Sequence, residues 1–369
     1  MKKKICFIGL DNYPVINPKY GSYYFGGESV QQTLLAKAFA GLGFEASMIC
    51  MDYGQADKEV FDGVIVYKVF KETAGLPVLR FFWPRITSVW AALKRADADI
   101  YYQSCAGIWT GIVACFCKVH NKKMIFRLAH DTDCIPGEQL IRFWRDRKIY
   151  EYGLRNTHWV AAQSRHQQAL LKKNYNINST IINMIVEIPR LNPERSQDID
   201  VLWVNNFRTF KRPEKVLELA KLCPELSITM IGGAVPGNEE MFMKLKGQSE
   251  NIANLTFEGP VSYHKVNDYF LRSKLFINTS DSEGFPNSFL QAFARKIPVI
   301  TFFDPDGVIE AKQMGKRCSD LNNMAETIKS LILNDSERER IGTNGYKYVN
   351  ECYGPQKIIQ NYSRMMSNA

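Results

Sequence analysis

The chain has 369 residues, 46% of them hydrophobic and 12% aromatic, with a formal net charge of +9. That is enough for two ordinary domains with sizeable cores, and the composition excludes a disordered or fibrous chain. Residues 1–190 carry 25 Lys and Arg against 16 Asp and Glu, whereas 191–369 carry 22 of each, so the first half is the one expected to meet an anionic partner. At the amino end, MKKKICFIGLDNY has a basic lead, but its apolar run stops at Asp11 after about six residues, short of the roughly 7–15 of a signal-peptide core. No stretch approaches the roughly eighteen apolar residues of a membrane span, and the expected location is the cytosol. The nine cysteines show no Cys-x-x-Cys pair and no His at zinc spacing, and read as buried thiols of a reducing compartment.

Short runs rich in β-branched and aromatic residues recur, each followed by a helical pattern: ICFIGL, ASMIC, GVIVYKV, DIYYQS, KMIFRLA, HWVAAQS and TIINMI in the first half. The rhythm restarts with DVLWVNN, LSITMIGG, LTFEG, KLFINTS and PVITF. Strands alternating with helices predict parallel sheets covered on both faces, in an α/β fold. The stretch 187–200, EIPRLNPERSQDID, has no periodicity and reads as the linker, and GPQKIIQNYSRMMSNA reads as a last helix. The expected division is a domain over 1–188, a second over 189–352, and a closing helix over 353–369. Ligands on such sheets sit beyond the carboxyl ends of the strands, which puts a shared ligand between the domains.

Several stretches carry candidate chemistry. Gly26 and Gly27 precede Glu28 and the helix SVQQTLLAKAFAGLG after a long aromatic loop, NYPVINPKYGSYYF, that reads either as an acceptor cover or as a mere turn. GLPVLRFFWPRITSVWAALKRA (75–96) interleaves Phe81, Phe82, Trp83 and Trp90 with Arg80, Arg85, Lys94 and Arg95, and RFWRDRKIYEYGLR (142–155) repeats the mixture. Cations among aromatics suit an anionic bilayer surface, the alternative being an amphipathic core helix; no nucleic-acid module is present. His130 closes the apolar strand KMIFRLA and is followed by Asp131, in a position that suits either a structural hydrogen bond or a site at the strand end. Arg208 and Lys211 stand three apart beyond DVLWVNN, where two cations can converge on one diphosphate or simply form a solvated loop.

The densest signal is SDSEGFPNSFLQAFA, 280–294. Pro286 suits the first position of a helix, whose unpaired N–H groups over about Asn287 to Phe289 point toward phosphate oxygens. Gly284 permits close approach of a ligand to the backbone. Glu283, just outside, is either a dipole-favoured acid or a partner for the neutral part of the ligand, such as a sugar ring.

This stretch resembles the Glu, seven residues, Glu motif of the retaining family 4 glycosyltransferases, with their Gly-Phe-Pro after the first acid. GGESVQQTLLAKAFAGLGFEASMI (26–49) resembles the family's glycine-rich first loop and helix, DIYYQSCAGIWTGIVACFC (99–117) its second βα unit and FRLAHDTD (126–133) its His-Asp strand. WVNNFRTFKRPEKVLELA (203–220) resembles the donor-phosphate segment and DPDGVIE (304–310) the closing loop. The likeness runs in order along nearly the whole chain.

The resemblance implies a GT-B architecture, two Rossmann-like doubly wound domains facing across a cleft, with a nucleoside-diphosphate sugar on the second and a glycan or lipid-linked acceptor on the first. It implies that Glu283 contacts the donor sugar, that His130 and Asp131 position donor and acceptor, and that Gly27, Gly284, Phe285, Asn287 and Ser288 surround sugar and phosphate. Lys211 matches the family's lysine. The family's usual arginine falls at Asn206, and Arg208 supplies a cation two residues along. The second acid of the motif is Gln291 here, expected to reach the ribose hydroxyls with a neutral amide. No metal motif stands in a suitable place, because the Asp-Thr-Asp of 131–133 follows the His-Asp strand, so transfer is expected to need no metal and no cofactor. The kind of relatives and the basic first half imply bacterial surface polysaccharide synthesis at the inner face of a membrane. Two rivals share the fold: a nucleotide-sugar epimerase and a noncatalytic binding protein.

Overall fold

The computed structural model describes residues 2–20, 26–76, 82–192, 195–235, 237–281 and 283–367. It divides into two compact units, one of Met1–Ile185 with Pro355–Ala369 and one of Val186–Gly354.

The first unit is built on β1 (Lys4–Ile8), β2 (Glu45–Cys50), β3 (Glu59–Phe61), β4 (Val64–Lys68), β5 (Ile100–Ser104), β6 (Lys123–Arg127), β7 (Trp159–Ala162) and β8 (Thr180–Ile181). Among the described residues they form an eight-stranded sheet in the order β3-β4-β2-β1-β5-β6-β7-β8. The second unit carries β9 (Ile199–Val204), β10 (Ile228–Ile231), β11 (Leu255–Gly259), β12 (Ser273–Asn278), β13 (Val299–Thr301) and β14 (Gly315–Arg317), in the order β11-β10-β9-β12-β13-β14. Both sheets are parallel throughout except for β3 against β4, so the α/β class with Rossmann-like units holds with one antiparallel edge. That edge is a hairpin turning at Asp62-Gly63, both at positive φ, a turn signal that the strand reading passed over. β14 was likewise not expected; GKR has no apolar run, and only pairing with β13 makes it a strand.

The strand order reverses between β1 and β5 in the first unit and between β9 and β12 in the second, because β1 pairs with β2 and β5 and β9 with β10 and β12. Ligands of doubly wound sheets enter at the carboxyl ends of such strands, where neighbouring crossovers leave on opposite faces. The helices that cover the sheets fit closely. Helices Ile108–Val119 and Trp144–Arg155 meet at Gly111 and Gly153, where an added Cβ would stand 2.2 Å from the carbonyl oxygen of Ile149 and 2.5 Å from the backbone of Thr110. No side chain fits there, so these glycines set the helix spacing.

Helix Pro355–Ser367 belongs to the first unit and buries Ile358, Ile359, Tyr362 and Met365, a stripe at helical spacing. Tyr362 sits between Phe39 and Tyr102, with ring centroids at 5.9 and 6.0 Å and its hydroxyl 3.3 Å from that of Tyr102. In the second unit Trp203 is fully buried beside Phe207, and helix Asn287–Phe293 buries Phe289, Leu290 and Phe293, each contributing about 1.5–3 kcal/mol. All nine cysteines are free.

Candidate active site

In the second unit the chemistry gathers at the β9/β12 switch. β12 is apolar over Leu275, Phe276 and Ile277 and ends at Asn278, and Thr279 and Ser280 that follow are completely buried. Buried polar groups need partners, and here each one holds the next. The indole N–H of Trp203 donates to Thr279 Oγ1 at 3.0 Å, and the Thr279 hydroxyl donates to the carbonyl of Lys211 at 2.8 Å. The turn Thr209–Lys211 after β9 is thereby fixed to the end of β12. Asn278 Oδ1 accepts the N–H of Ser280 at 2.8 Å, which aims the Asn278 amide nitrogen at Glu283 Oε1, 3.0 Å away; the Ser280 hydroxyl donates to the same oxygen at 2.5 Å. The other carboxylate oxygen, Oε2, is paired with Lys211 Nζ.

Glu283 and Lys211 are therefore one unit, with side chains 12% and 13% exposed. Burial pushes the Lys211 ammonium below its ordinary range, Glu283 opposes that shift, and the nearby positive charge of Arg208 adds to it. Arg208 is exposed and caps the same turn, its carbonyl accepting the N–H of Lys211 at 2.9 Å. Two cations of one short turn thus lie close together, and one of them is neutralised by the acid of the opposite strand.

The loop after Glu283 leads into the short helix. Gly284 is exposed, with open space where a Cβ would stand. Phe285 stacks on Tyr353 at 5.4 Å and meets Phe289 edge-on at 6.1 Å, so its ring anchors the loop. Pro286 caps the helix, Asn287 is its first residue and Ser288 is buried. Gln291 donates from Nε2 to Asn267 Oδ1 at 3.2 Å, leaving Oε1 as its acceptor. Asn205 ends the same switch from the β9 side, and its buried amide nitrogen has no partner among the described residues.

In the first unit, Gly27 opens helix Gly27–Gly41 after β1, and His130 and Asp131 follow β6. His130 is exposed, and its N–H and that of Ala129 donate to Asp133 Oδ2 at 3.0 Å each. Asp133 is thereby a structural cap of the turn Asp131–Cys134, while Asp131 is exposed and stands 3.9 Å from His166. Below them lies a cluster that sequence reading did not single out. Arg127, 3% exposed at the end of β6, donates from Nη1 to the carbonyls of Ile182 and Asn183 and to the hydroxyl of Tyr362 at 3.3–3.4 Å. Its Nε and Nη2, and Glu28 Oε1, are buried without partners among the described residues. Burial raises the Glu28 carboxyl above the ordinary range, against the attraction of Arg127. The signal available in the sequence was a charged residue inside the apolar strand KMIFRLA.

The aromatic and basic stretches divide. Trp90 packs against Phe116 at 5.1 Å and His120 at 6.0 Å, and Arg95 pairs with Asp57 at 2.7 Å, as in an amphipathic core helix. Phe82, Trp83, Phe143 and Trp144 are exposed, the two tryptophans by 66% and 76%. Arg80 and Phe81 lie outside the described residues, as do 21–25 of the aromatic loop. The earlier part of that loop forms a short helix, Tyr13–Ile16, whose Tyr13 is buried against Tyr20 and Tyr53. Among the described residues, no helix is long and apolar enough to cross a membrane.

The family model Glycosyl transferases group 1 matches residues 185–348, and the model Glycosyltransferase Family 4 matches residues 25–186. The O-antigen biosynthesis glycosyltransferase WbnH of Escherichia coli is 30% identical over 147 residues, 38% of this chain and 40% of the relative. An uncharacterized glycosyltransferase of Haemophilus influenzae is 24% identical over 216 residues, 54% of this chain and 58% of the relative. The matched region is thus less than two thirds of these relatives' length. Among solved structures, sucrose-phosphate synthase from Thermosynechococcus elongatus aligns over 100% of both chains with a TM-score of 0.74 and 15% identity. HepE of Anabaena, in complex with UDP and glucose, aligns over 100% of both with a TM-score of 0.73 and 14% identity. At these identities the likeness is one of fold, and that fold is GT-B.

Proposed function

Since the chain belongs to the family 4 glycosyltransferases, we propose that it is a retaining glycosyltransferase that moves a sugar from a nucleoside diphosphate to a lipid-linked glycan acceptor in surface polysaccharide synthesis. The observation that carries this reading is the Glu283–Lys211 pair at the β9/β12 switch, with Arg208 on the same turn. Breaking the bond between sugar and diphosphate places new negative charge on the leaving group, and preorganised cations lower the barrier where that charge develops. Lys211 and Arg208 meet it. Glu283, held by Asn278 and Ser280, faces the sugar as an acceptor of hydroxyl hydrogen bonds and a negative charge near the carbon that becomes positive. Gly284, Phe285, Asn287 and Ser288 bring backbone groups to sugar and phosphate, and Gln291 Oε1 accepts from a ribose hydroxyl. His130 and Asp131 contact the acceptor, Asp131 being exposed and free to accept its proton. In this scheme the cations do the work of a metal, so turnover persists in a chelator.

Two relatives support this setting: WbnH is by name an O-antigen enzyme, and HepE is described with UDP and glucose. The exposed pairs Phe82-Trp83 and Phe143-Trp144, beside Arg85, Arg142 and Arg145, support peripheral attachment at the cytoplasmic face of an anionic membrane. Cosedimentation with vesicles containing phosphatidylglycerol, lost in a Trp83→Ser/Trp144→Ser variant, tests that attachment; equal binding to neutral vesicles removes the electrostatic part.

Incubation with a panel of nucleotide sugars and lipid-linked acceptors tests the activity. A glycan product supports transfer, interconversion of the sugar without acceptor identifies an epimerase, and tight binding with neither identifies a noncatalytic relative.

A further inference from the structure

A surface pocket of about 390 Å³ lies in the first unit at the amino ends of β7 and β8, closed on one side by helix Pro355–Ser367. His130 follows the carboxyl end of β6, which runs parallel to β7, so this pocket is at the opposite edge of the sheet from the residues assigned to the acceptor. Its walls include His158, Trp159, Ser179, Asn361, Arg364 and Met365.

Those walls are rich in hydrogen-bond donors. The indole nitrogen of Trp159 and the hydroxyl of Ser179 are both buried without a partner among the described residues. Buried polar groups of native proteins are paired in the great majority, so two orphans in one pocket wall point to a ligand that pairs with them. The N–H of Met124 donates to His158 Nδ1 at 3.3 Å, which fixes the tautomer with the proton on Nε2 and makes that edge a third donor. Burial and Lys123 hold the His158 imidazole below its ordinary range, in keeping with a neutral ring. Arg364 is exposed and has no acidic partner among the described residues, and Asn178, also in the wall, accepts from Lys172 at 3.1 Å. Among the described residues no Asp or Glu lines the pocket; Arg364 stands in its wall, Lys172 bonds Asn178 of that wall, and the charge of Lys123 acts on His158. Beside the donors, the Trp159 ring, Met365 and Ile181 provide an apolar surface.

We propose that this pocket binds an anionic saccharide, a sugar carrying a phosphate or a carboxylate, as a second site apart from the donor and acceptor. Arg364 holds the anion, the orphaned donors hold oxygens of the ring substituents, and the Trp159 ring covers the C–H face of the sugar. Because one wall is the helix that follows Gly354 of the second unit, a bound ligand clamps that helix to the β7–β8 edge.

The test uses the full chain with ¹⁵N-labelled tryptophan, the Trp159 indole signal being assigned by its loss in Trp159→Phe. The probes are glucose 6-phosphate, glucuronate, inorganic phosphate and glucose. One or both anionic sugars are expected to shift that signal with Kd on the order of 0.1–1 mM. Arg364→Ala weakens the response about tenfold, as loss of a charge-assisted pair requires, while Lys211→Ala leaves it unchanged. Comparison of glucose 6-phosphate with glucuronate identifies which anion is preferred. Equal affinity for glucose removes the anionic requirement, and equal affinity for inorganic phosphate removes the sugar; either result overturns the proposal. So does a response lost in Lys211→Ala and kept in Arg364→Ala, or no response to any probe at about 10 mM, well above the expected Kd.

Discussion

The carboxyl edges of the two sheets each bring an acid and a base together, with opposite outcomes. In the second unit Glu283 is fully answered: Lys211 takes one oxygen, and Asn278 and Ser280 share the other. In the first unit Arg127 is buried and Glu28 half-buried within its electrostatic reach; Ser104 bonds the Glu28 carboxyl, yet Glu28 Oε1 and two nitrogens of Arg127 have no partner among the described residues. A completed pair is a preset device whose parts can be exchanged for a ligand's charges. An incomplete buried pair costs stability, and each half depends on the other for electrostatic cover. The first design suits charge-dependent chemistry, the second a rigid platform.

The largest expected effect tests the incomplete pair. Arg127→Leu leaves the Glu28 carboxyl uncovered and lowers the stability of the first unit by about 3–5 kcal/mol, read by thermal unfolding and by hydrogen exchange in helix Gly27–Gly41. Adding Glu28→Gln restores most of the loss. If the double variant is no better than the single, the two side chains are not coupled and the contrast collapses.

Next comes the completed pair. Glu283→Gln keeps the shape but removes the charge, and transfer is expected to fall about a hundredfold or more, with the fold intact by circular dichroism. Turnover at the native rate would remove Glu283 from the site.

A smaller effect separates the units by pH. The Glu28 carboxyl is raised in the folded state, so its contribution to stability is present below the ordinary glutamate range and is lost as pH rises through the raised value. Lys211 is lowered, so the folded state binds fewer protons there, and stability grows as pH rises from the lowered value toward that of an ordinary lysine. Mild acidification should therefore favour the first unit, and alkali the second. Glu28→Gln flattens only the acid slope, and Lys211→Met only the alkaline one. Donor binding moves the other way from stability at alkaline pH, weakening once Lys211 loses its proton.

The smallest effect concerns the ribose. Gln291→Glu replaces a neutral acceptor with a charged one, and Asn267 can turn its amide to donate to it. Nucleotide affinity is expected to rise several-fold, since charged acceptors bond more strongly. A marked loss would show that the Gln291 N–H itself is required.

Much of this architecture can be read from residue pattern because parallel strands buried on both faces must be apolar runs, as ICFIGL, DVLWVNN and KLFINTS are. β3 and β14 escaped because one hangs on a two-residue turn and the other on pairing alone. Glu283 and Lys211 could be named from local motifs, but their pairing spans 72 positions and emerges only when β9 and β12 become neighbours. The supports were harder. Asn278, Thr279 and Ser280 look like an ordinary polar strand end, and their hydrogen bonds depend on Trp203 and the Lys211 turn. Arg127 was hidden by its strand, since nothing local says that a lone arginine there is buried. The aromatic stretches misled in part because composition does not distinguish Trp90, packed inside, from Trp83, exposed.

The placement of helix Pro355–Ser367 with the first unit has a consequence for biosynthesis. Tyr362, which fills the space between Phe39 and Tyr102 and accepts a hydrogen bond from Arg127, is translated only after all of Val186–Gly354. The second unit is a continuous stretch and can fold as it leaves the ribosome, whereas the first must hold its core open until the chain has passed through its neighbour. The half that emerges first is the half that is finished last, and its exposed seam is where a chaperone has most to protect.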